Sequence, residues 1–233
     1  MGASLRIGRV FGIPIEVNIS WVFVFLLLTF LLAGQFEDAR LRWPVAQRWT
    51  VAMVTVVLFF LSVLAHELSH SLMAQSKGIP VRGITLFIFG GVSRLEREPE
   101  WPITEFVIAV VGPLSSIVLA AIFGGIWYLL GGGNSSVEVV LLLLAWTNLS
   151  LGVFNLVPGY PLDGGRVLRA GIWGMTGSYH RATQIAARSG QVVGGAMVVG
   201  GVLLARFVEP VDGIWVSIVG LFLFSMARSS YPR

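Results

Sequence analysis

Long apolar runs separated by short polar stretches dominate the chain. Six of them have lengths near the ~20 residues that a helix needs to cross a bilayer, at about 19–34, 50–75, 103–130, 137–157, 185–207 and 213–227. This pattern predicts an all-α polytopic membrane protein with about six transmembrane helices. Gly112-Pro113 lies inside the third run and predicts a kink or a local opening of that helix.

Two stretches outside the apolar runs have the composition of β-strands. Residues 6–17 contain two short candidate strands around a central turn, and residues 79–95 are rich in strand formers with a break at Gly90-Gly91. Because an open strand edge is costly in lipid, these strands must face protein or water. We expect a small membrane-associated β-sheet at the cytoplasmic side of a single domain over residues 1–233.

Composition and charge agree with a membrane protein. The chain is 55% hydrophobic and 12% charged, about half the charge of a soluble domain. It has no Cys, which excludes a disulfide framework and a Cys-bound metal. Alternating the sides of the six spans puts 12 of the 16 Lys and Arg on one side. We therefore expect a multi-pass protein of the cell (inner) membrane with both termini cytoplasmic, no cleavable signal peptide and no nucleic-acid partner.

The most specific feature is His66-Glu67-Leu68-Ser69-His70, inside the second apolar run. Two His residues four positions apart lie on one face of a helix, and Glu67 lies about 100° round the axis. This spacing allows both His side chains to hold one Zn²⁺ while Glu67 reaches a metal-bound water as general base. A lone buried His is usually a core residue, but three ionisable groups in hydrocarbon are costly unless paired or metal-bound. The pattern therefore predicts a zinc hydrolase.

A catalytic zinc needs a third protein ligand and an open position. Glu138 lies at the opposite end of its span, Glu105 suits a helix start, and His180 lies in a polar stretch that we interpret as a loop. Asp163 remains. An Asp-Gly pair is ordinarily a turn, but the flanking prolines break the helix at membrane depth, where irregular backbone usually marks a functional site. The predicted orientation also brings Asp163 to a similar depth as the His pair.

Further segments occur beside these in a fixed order. They are F-G-I-P-I-E-V-N-I-S-W at 11–21, F-G-G at 89–91, G-P-L-S-S at 112–116 and N-L-V-P-G-Y-P-L-D-G-G at 155–165. Together with H-E-L-S-H at 66–70, they resemble the site-2 protease family of intramembrane zinc metalloproteases. The resemblance covers most of the chain.

The resemblance implies one Zn²⁺ per chain, with His66, His70 and Asp163 as its ligands and Glu67 as the catalytic residue. It also implies Asn155 near the substrate or the oxyanion, and a helix-end role is the alternative for this residue. It implies single-pass membrane proteins as substrates, cut within or beside their transmembrane helix in regulated intramembrane proteolysis. Relatives often carry a CBS pair or a PDZ domain, and we see neither in this sequence.

A transmembrane helix hides its carbonyls in its own hydrogen bonds, so it must unwind before attack. An extended peptide can add to a strand edge, and residues 84–91, with Ile88, Phe89 and Gly90, are our candidate for that edge. Glycines at 190, 194, 195, 200 and 201 predict close helix packing in the fifth span, with a substrate gate as the alternative.

Two rival functions belong to other classes. A metal-ion transporter would also use intramembrane His and Asp, and a non-catalytic scaffold could keep a structural zinc. Glu67 distinguishes them, because neither a transporter nor a closed structural site needs a general base beside two ligands.

Overall fold

The computed structural model describes residues 4–38, 43–88 and 90–230. Six of its helices are long and apolar enough to cross a membrane, all except α5. The elements in chain order are β1 (Ser4–Val10), β2 (Ile13–Asn18), α1 (Ile19–Asp38), α2 (Val45–Ser76), β3 (Val81–Phe87), β4 (Gly90–Leu95), α3 (Pro102–Leu129), α4 (Ser136–Asn155), α5 (Asp163–Thr176), α6 (Tyr179–Phe207) and α7 (Pro210–Ser229). The chain is a multi-pass membrane protein, and the predicted fold class is confirmed.

Helix α5 is the main difference from the predicted elements, since it lies between the fourth and fifth predicted spans, where no helix was predicted. It ends at Gly177, whose φ of 66° gives the left-handed cap typical of helix C-termini. Helix α6 then begins at Tyr179, so the interpretation of His180 as a loop residue is wrong. Pro113 lies inside helix α3, which is continuous over Pro102–Leu129.

The chain divides into two compact units, one of residues 1–98 and 114–152 and the other of residues 99–113 and 153–233. The first unit contains a four-stranded sheet in the order β1-β2-β3-β4. β1 and β2 form a hairpin whose two turn residues, Phe11 and Gly12, have φ of 50° and 79°. Positive φ at both positions is what a type I′ hairpin turn requires.

β2 and β3 pair in parallel, with Ile15 opposite Ile84, although both α1 and α2 lie between them in sequence. β3 and β4 then pair antiparallel. The inner face of the sheet packs on α2 through a cluster of buried apolar side chains, Ile13, Ile15, Val63, Ile84 and Leu86. This cluster holds the sheet against the helix that carries the His-Glu-x-x-His residues.

In the second unit, α6 and α7 pack closely through glycines. A Cβ on Gly194 would meet the backbone of Phe224 and Gly220 at 2.7–2.8 Å. The same helix carries Gly195, where a Cβ would meet nothing within 4 Å. The prediction of close packing is therefore right for part of the glycine set.

Candidate metal centre

His66 and His70 lie one turn apart on α2, and their side chains face each other. Their Nε2 atoms are 3.2 Å apart, and the rings are nearly perpendicular at 78°. The two residues are 3% and 4% exposed. Two buried imidazole nitrogens at this separation form one half of a cation site.

Ser116 fixes the orientation of the His66 ring. The Ser116 Oγ lies 2.9 Å from His66 Nδ1, and Ser116 on α3 is fully buried. A proton on Nδ1, donated to this oxygen, leaves the Nε2 lone pair available to a metal. Residue 116 belongs to the G-P-L-S-S segment, but the sequence alone gave no role to its hydroxyl.

His66, His70 and Asp163 form a candidate metal-binding group, since a ligand atom from each lies within 4.8 Å of the other two. Asp163 is the first residue of α5 and is 9% exposed. Two imidazoles and one carboxylate, all buried, suit the preference of Zn²⁺ for nitrogen and oxygen donors when no thiolate is present. The donor set therefore fits zinc, and three protein ligands are the number that a catalytic zinc site uses.

The other candidate ligands have different partners. Glu105 forms a buried ion pair with Arg169. Glu138 accepts hydrogen bonds from the Gly133 and Ser135 backbone at the start of α4. His180 is exposed, with its Nε2 2.9 Å from the Gln184 amide nitrogen.

Glu67 is half-buried beneath strand β4. A Cβ placed on Gly91 would lie 2.5 Å from the Glu67 Cγ and 3.2 Å from its Cδ. One helical turn further on, the Ser71 and Ser93 hydroxyls are 2.7 Å apart. β4 therefore runs along α2, and the absence of a side chain at residue 91 makes space for the Glu67 carboxylate.

The strand edge predicted at 84–91 needs correction. β3 pairs with β2 on one side and β4 on the other, so residues 84–87 are central in the sheet, whereas β4 is one of its two edge strands. Gly90 begins β4 with φ of 125°, and the Ile88 N–H donates a 3.2 Å bond to Ser20 Oγ. Phe89 lies outside the described residues. The sequence located the strands but not their order, because order depends on which distant segments pair.

The segment between α4 and α5 is held against α6 in the second unit. The Tyr160 N–H bonds to the Ala186 carbonyl at 3.1 Å. Gly190 lies so close to the Tyr160 carbonyl that no side chain fits there, and Gly164 lies equally close to the Leu156 carbonyl. Asn155 precedes this segment as the half-buried last residue of α4. The glycines thus allow tight backbone contacts just before and after Asp163.

Comparison with known proteins places this arrangement in a family. The sequence profile of Peptidase family M50 matches residues 54–133 and 133–197, which include the His pair and Asp163. The chain belongs to Peptidase family M50. This confirms the resemblance inferred from the motifs, since the solved site-2 protease from Methanocaldococcus jannaschii is also similar, with a TM-score of 0.68 and 30% identity over 99% of this chain and 96% of that one.

Curated relatives of this M50 chain carry matching names. A Synechocystis protein named as a candidate zinc metalloprotease is 40% identical over 99% of this chain. Rip3 of Mycobacterium tuberculosis, named in the same way, is 38% identical over the whole of it. The chain spans 60% of the length of each of these two relatives. Both names describe a zinc metalloprotease.

Proposed function

We propose that this chain is an intramembrane zinc endopeptidase, in which His66, His70 and Asp163 hold one Zn²⁺ and Glu67 is the catalytic base. The observation that carries the proposal is the buried group of two imidazoles and a carboxylate. Glu67 is half-buried and follows His66 directly on α2, a helix long enough to span the bilayer. A carboxylate beside a three-ligand zinc site is the arrangement of a hydrolase.

Zinc, when bound, would supply a Lewis acid that polarises the scissile carbonyl and acidifies water. Glu67 takes the proton of the attacking water and delivers it to the nitrogen of the leaving amine. Ser116 keeps the His66 ring in the orientation that presents Nε2. Asn155 donates a hydrogen bond to the developing oxyanion. The substrates are single-pass membrane proteins, cut near the cytoplasmic side in regulated intramembrane proteolysis.

The free edge of β4 suits an unwound substrate. Residue 91 on this strand lies directly over Glu67, so a peptide that pairs with β4 would run beside the general base. Ile88 lies shortly before β4. Ile88, Phe89 and Gly90 are our candidates for contact with the entering peptide. Both termini of the chain are cytoplasmic in this proposal, and the membrane is the cell membrane.

Glu67→Gln tests the chemistry directly. Co-expression of the wild type and this variant with tagged single-pass proteins should give a shortened product with the wild type only. Since general-base catalysis is worth roughly 10²–10⁴-fold, cleavage by the variant should fall at least a hundredfold. Zinc measured on the same purified samples should remain at one per chain. Equal cleavage by both proteins would remove the proposal.

The transporter alternative is checked with the same variant. Wild type and Glu67→Gln are reconstituted into vesicles that contain a zinc-sensitive dye, and zinc entry is followed. The proposal predicts no entry above empty vesicles for either protein. Entry that survives in Glu67→Gln would favour a transporter.

Cross-linking tests the strand-edge binding mode. The chain contains no Cys, so Val92→Cys on the exposed part of β4 provides a single thiol. Single Cys residues are then placed along a substrate that is trapped on the Glu67→Gln background. An extended peptide should give disulfides at alternate substrate positions, and a period of three to four residues would show that the substrate stays helical.

A further inference from the structure

A buried ion pair lies six residues beyond Asp163 on α5. The Arg169 Nε donates a 2.7 Å hydrogen bond to Glu105 Oε1, and its Nη2 contacts the same oxygen. Arg169 is 5% exposed and Glu105 is fully buried. Burial works against the positive charge, but the Glu105 carboxylate outweighs it and raises the pKa of Arg169 above its ordinary value. The Arg169 guanidinium is therefore charged, and its burial shields it from salt.

Two aromatic rings also contact the Arg169 guanidinium. Its Cζ lies 5.6 Å from the centre of the Tyr160 ring and 4.9 Å from that of Tyr179. Tyr160 belongs to the segment before α5, Tyr179 begins α6, and Glu105 lies in the first turn of α3. Arg169 thus joins α5 to three other segments of the same unit.

Helix α5 depends on such contacts for its position. It has 14 residues and is not one of the six candidate spans. Helices of this length are marginal when isolated. Asp163 is the first residue of α5, and six residues of helix separate it from Arg169 by roughly 9 Å along the axis. A shift or rotation at Arg169 is therefore transmitted to the Asp163 carboxylate.

An ion pair is better suited to orient α5 than to stabilise its contact with α3. Apolar side chains of similar volume usually hold a buried interface together as well as an ion pair does. A guanidinium differs because its donors have a fixed planar geometry. Arg169, packed here against aromatic rings, donates from Nε and Nη2 to one Glu105 oxygen and therefore binds its partner in few orientations.

We infer that the Glu105–Arg169 pair is a positioning device that sets the rotation of α5 and so places the Asp163 carboxylate for zinc. Neither residue touches the reacting atoms. The inference rests on the proposed function in one respect, that Asp163 is a zinc ligand.

The test replaces both members together, with Glu105→Leu and Arg169→Met. The double variant keeps the side-chain volume but loses the directional hydrogen bonds of the ion pair. Because the chain has no Cys, spin labels can be attached at two exposed sites, Met175→Cys on α5 and Ile185→Cys on α6. In the parent, we expect a narrow distribution of distances between the labels. In the double variant, we expect a broadened or shifted distribution, and zinc affinity at least tenfold weaker by competition with a chelating dye.

Thermal unfolding of the same metal-free samples distinguishes a change in the position of α5 from a loss of stability. The unfolding temperature of the double variant should differ little from that of the parent. Unchanged label distances and unchanged zinc affinity in a folded double variant would overturn the inference. Should that variant fail to fold, Arg169→Lys decides instead, since it keeps the charge without the fork: a broadened distribution supports the device, and an unchanged one refutes it. The distance readout needs no metal. A parent that binds no zinc would therefore defeat the proposed function, while the label distances would still decide whether the pair orients α5.

Discussion

Gly91→Ala adds one methyl group between strand β4 and the proposed general base. The added carbon would lie 2.5 Å from the Glu67 Cγ, whereas carbon atoms in contact ordinarily lie about 3.5–4.0 Å apart. Either the side chain of Glu67 or the strand must therefore move by about 1 Å. Glu67 is the easier to move, because β4 is also held by pairing with β3 and by the bond between Ser93 and Ser71.

A displacement of about 1 Å in a catalytic group lowers turnover on the order of a hundredfold. At 1.36 kcal/mol for each factor of ten, this loss equals about 2.7 kcal/mol of transition-state stabilisation. The three atoms nearest to the added methyl group all belong to Glu67, at 2.5–3.3 Å. Zinc content should therefore stay at one per chain while kcat falls.

The assay follows cleavage of a purified single-pass substrate in detergent or in vesicles, with zinc measured on the same preparation. Gly8→Ala on β1 is the matched control, because a Cβ there meets nothing within 4 Å. Turnover by Gly91→Ala within twofold of the Gly8→Ala value would refute the placement of Glu67 beneath β4. Loss of zinc in Gly91→Ala would refute the claim that only the base is displaced.

Two further predictions concern the ligand support and the helix packing. Ser116→Ala leaves the His66 Nδ1–H without its buried partner, so zinc affinity should fall roughly 10–100-fold; Thr29→Val, which removes a hydroxyl bonded only to its own helix, should leave the affinity unchanged in the same chelator competition. Gly201→Ala places a Cβ against the backbone of α7 and should destabilise the protein by about 1–3 kcal/mol. Gly200→Ala is the control, because its Cβ meets nothing within 4 Å, and it should be neutral or slightly stabilising. Both variants are measured by thermal unfolding in detergent. Equal unfolding temperatures would contradict the close contact of Gly201 with α7.

The membrane spans and the His-Glu-x-x-His residues could be predicted because each depends on local pattern. A run of about 20 apolar residues has few alternatives to a bilayer-spanning helix, and two His residues four apart meet on any helix. The two-residue turn at Phe11-Gly12 was also visible locally, since a turn needs only its own residues.

Helix α5 could not be predicted in this way. Its sequence contains four glycines, at 164, 165, 171 and 174, each of which disfavours a helix by about 1 kcal/mol relative to Ala. The helix is stabilised instead by contacts with distant residues, among them Glu105. Two of its glycines are needed for close approach to the preceding backbone. Glycines that disfavour an isolated helix are therefore required here by the packing.

Ser116 and the strand order illustrate the same limit. A serine in an apolar span usually bonds to its own helix, as the hydroxyls of Thr55 and Ser62 do here. Nothing in the sequence separates Ser116 from them, because its partner lies 50 residues away on another helix. The central place of β3 likewise follows from its pairing with β2, which is distant in sequence.

That parallel pairing constrains how the protein assembles in its membrane. β2 leads directly into α1, and β3 follows α2 after a short turn. Two neighbouring strands can share hydrogen bonds only if the chain that connects them leaves one leaflet and comes back to it. The β2–β3 pairing therefore requires α1 and α2 to cross the membrane in opposite directions, and it joins the two ends of that helical hairpin on one side.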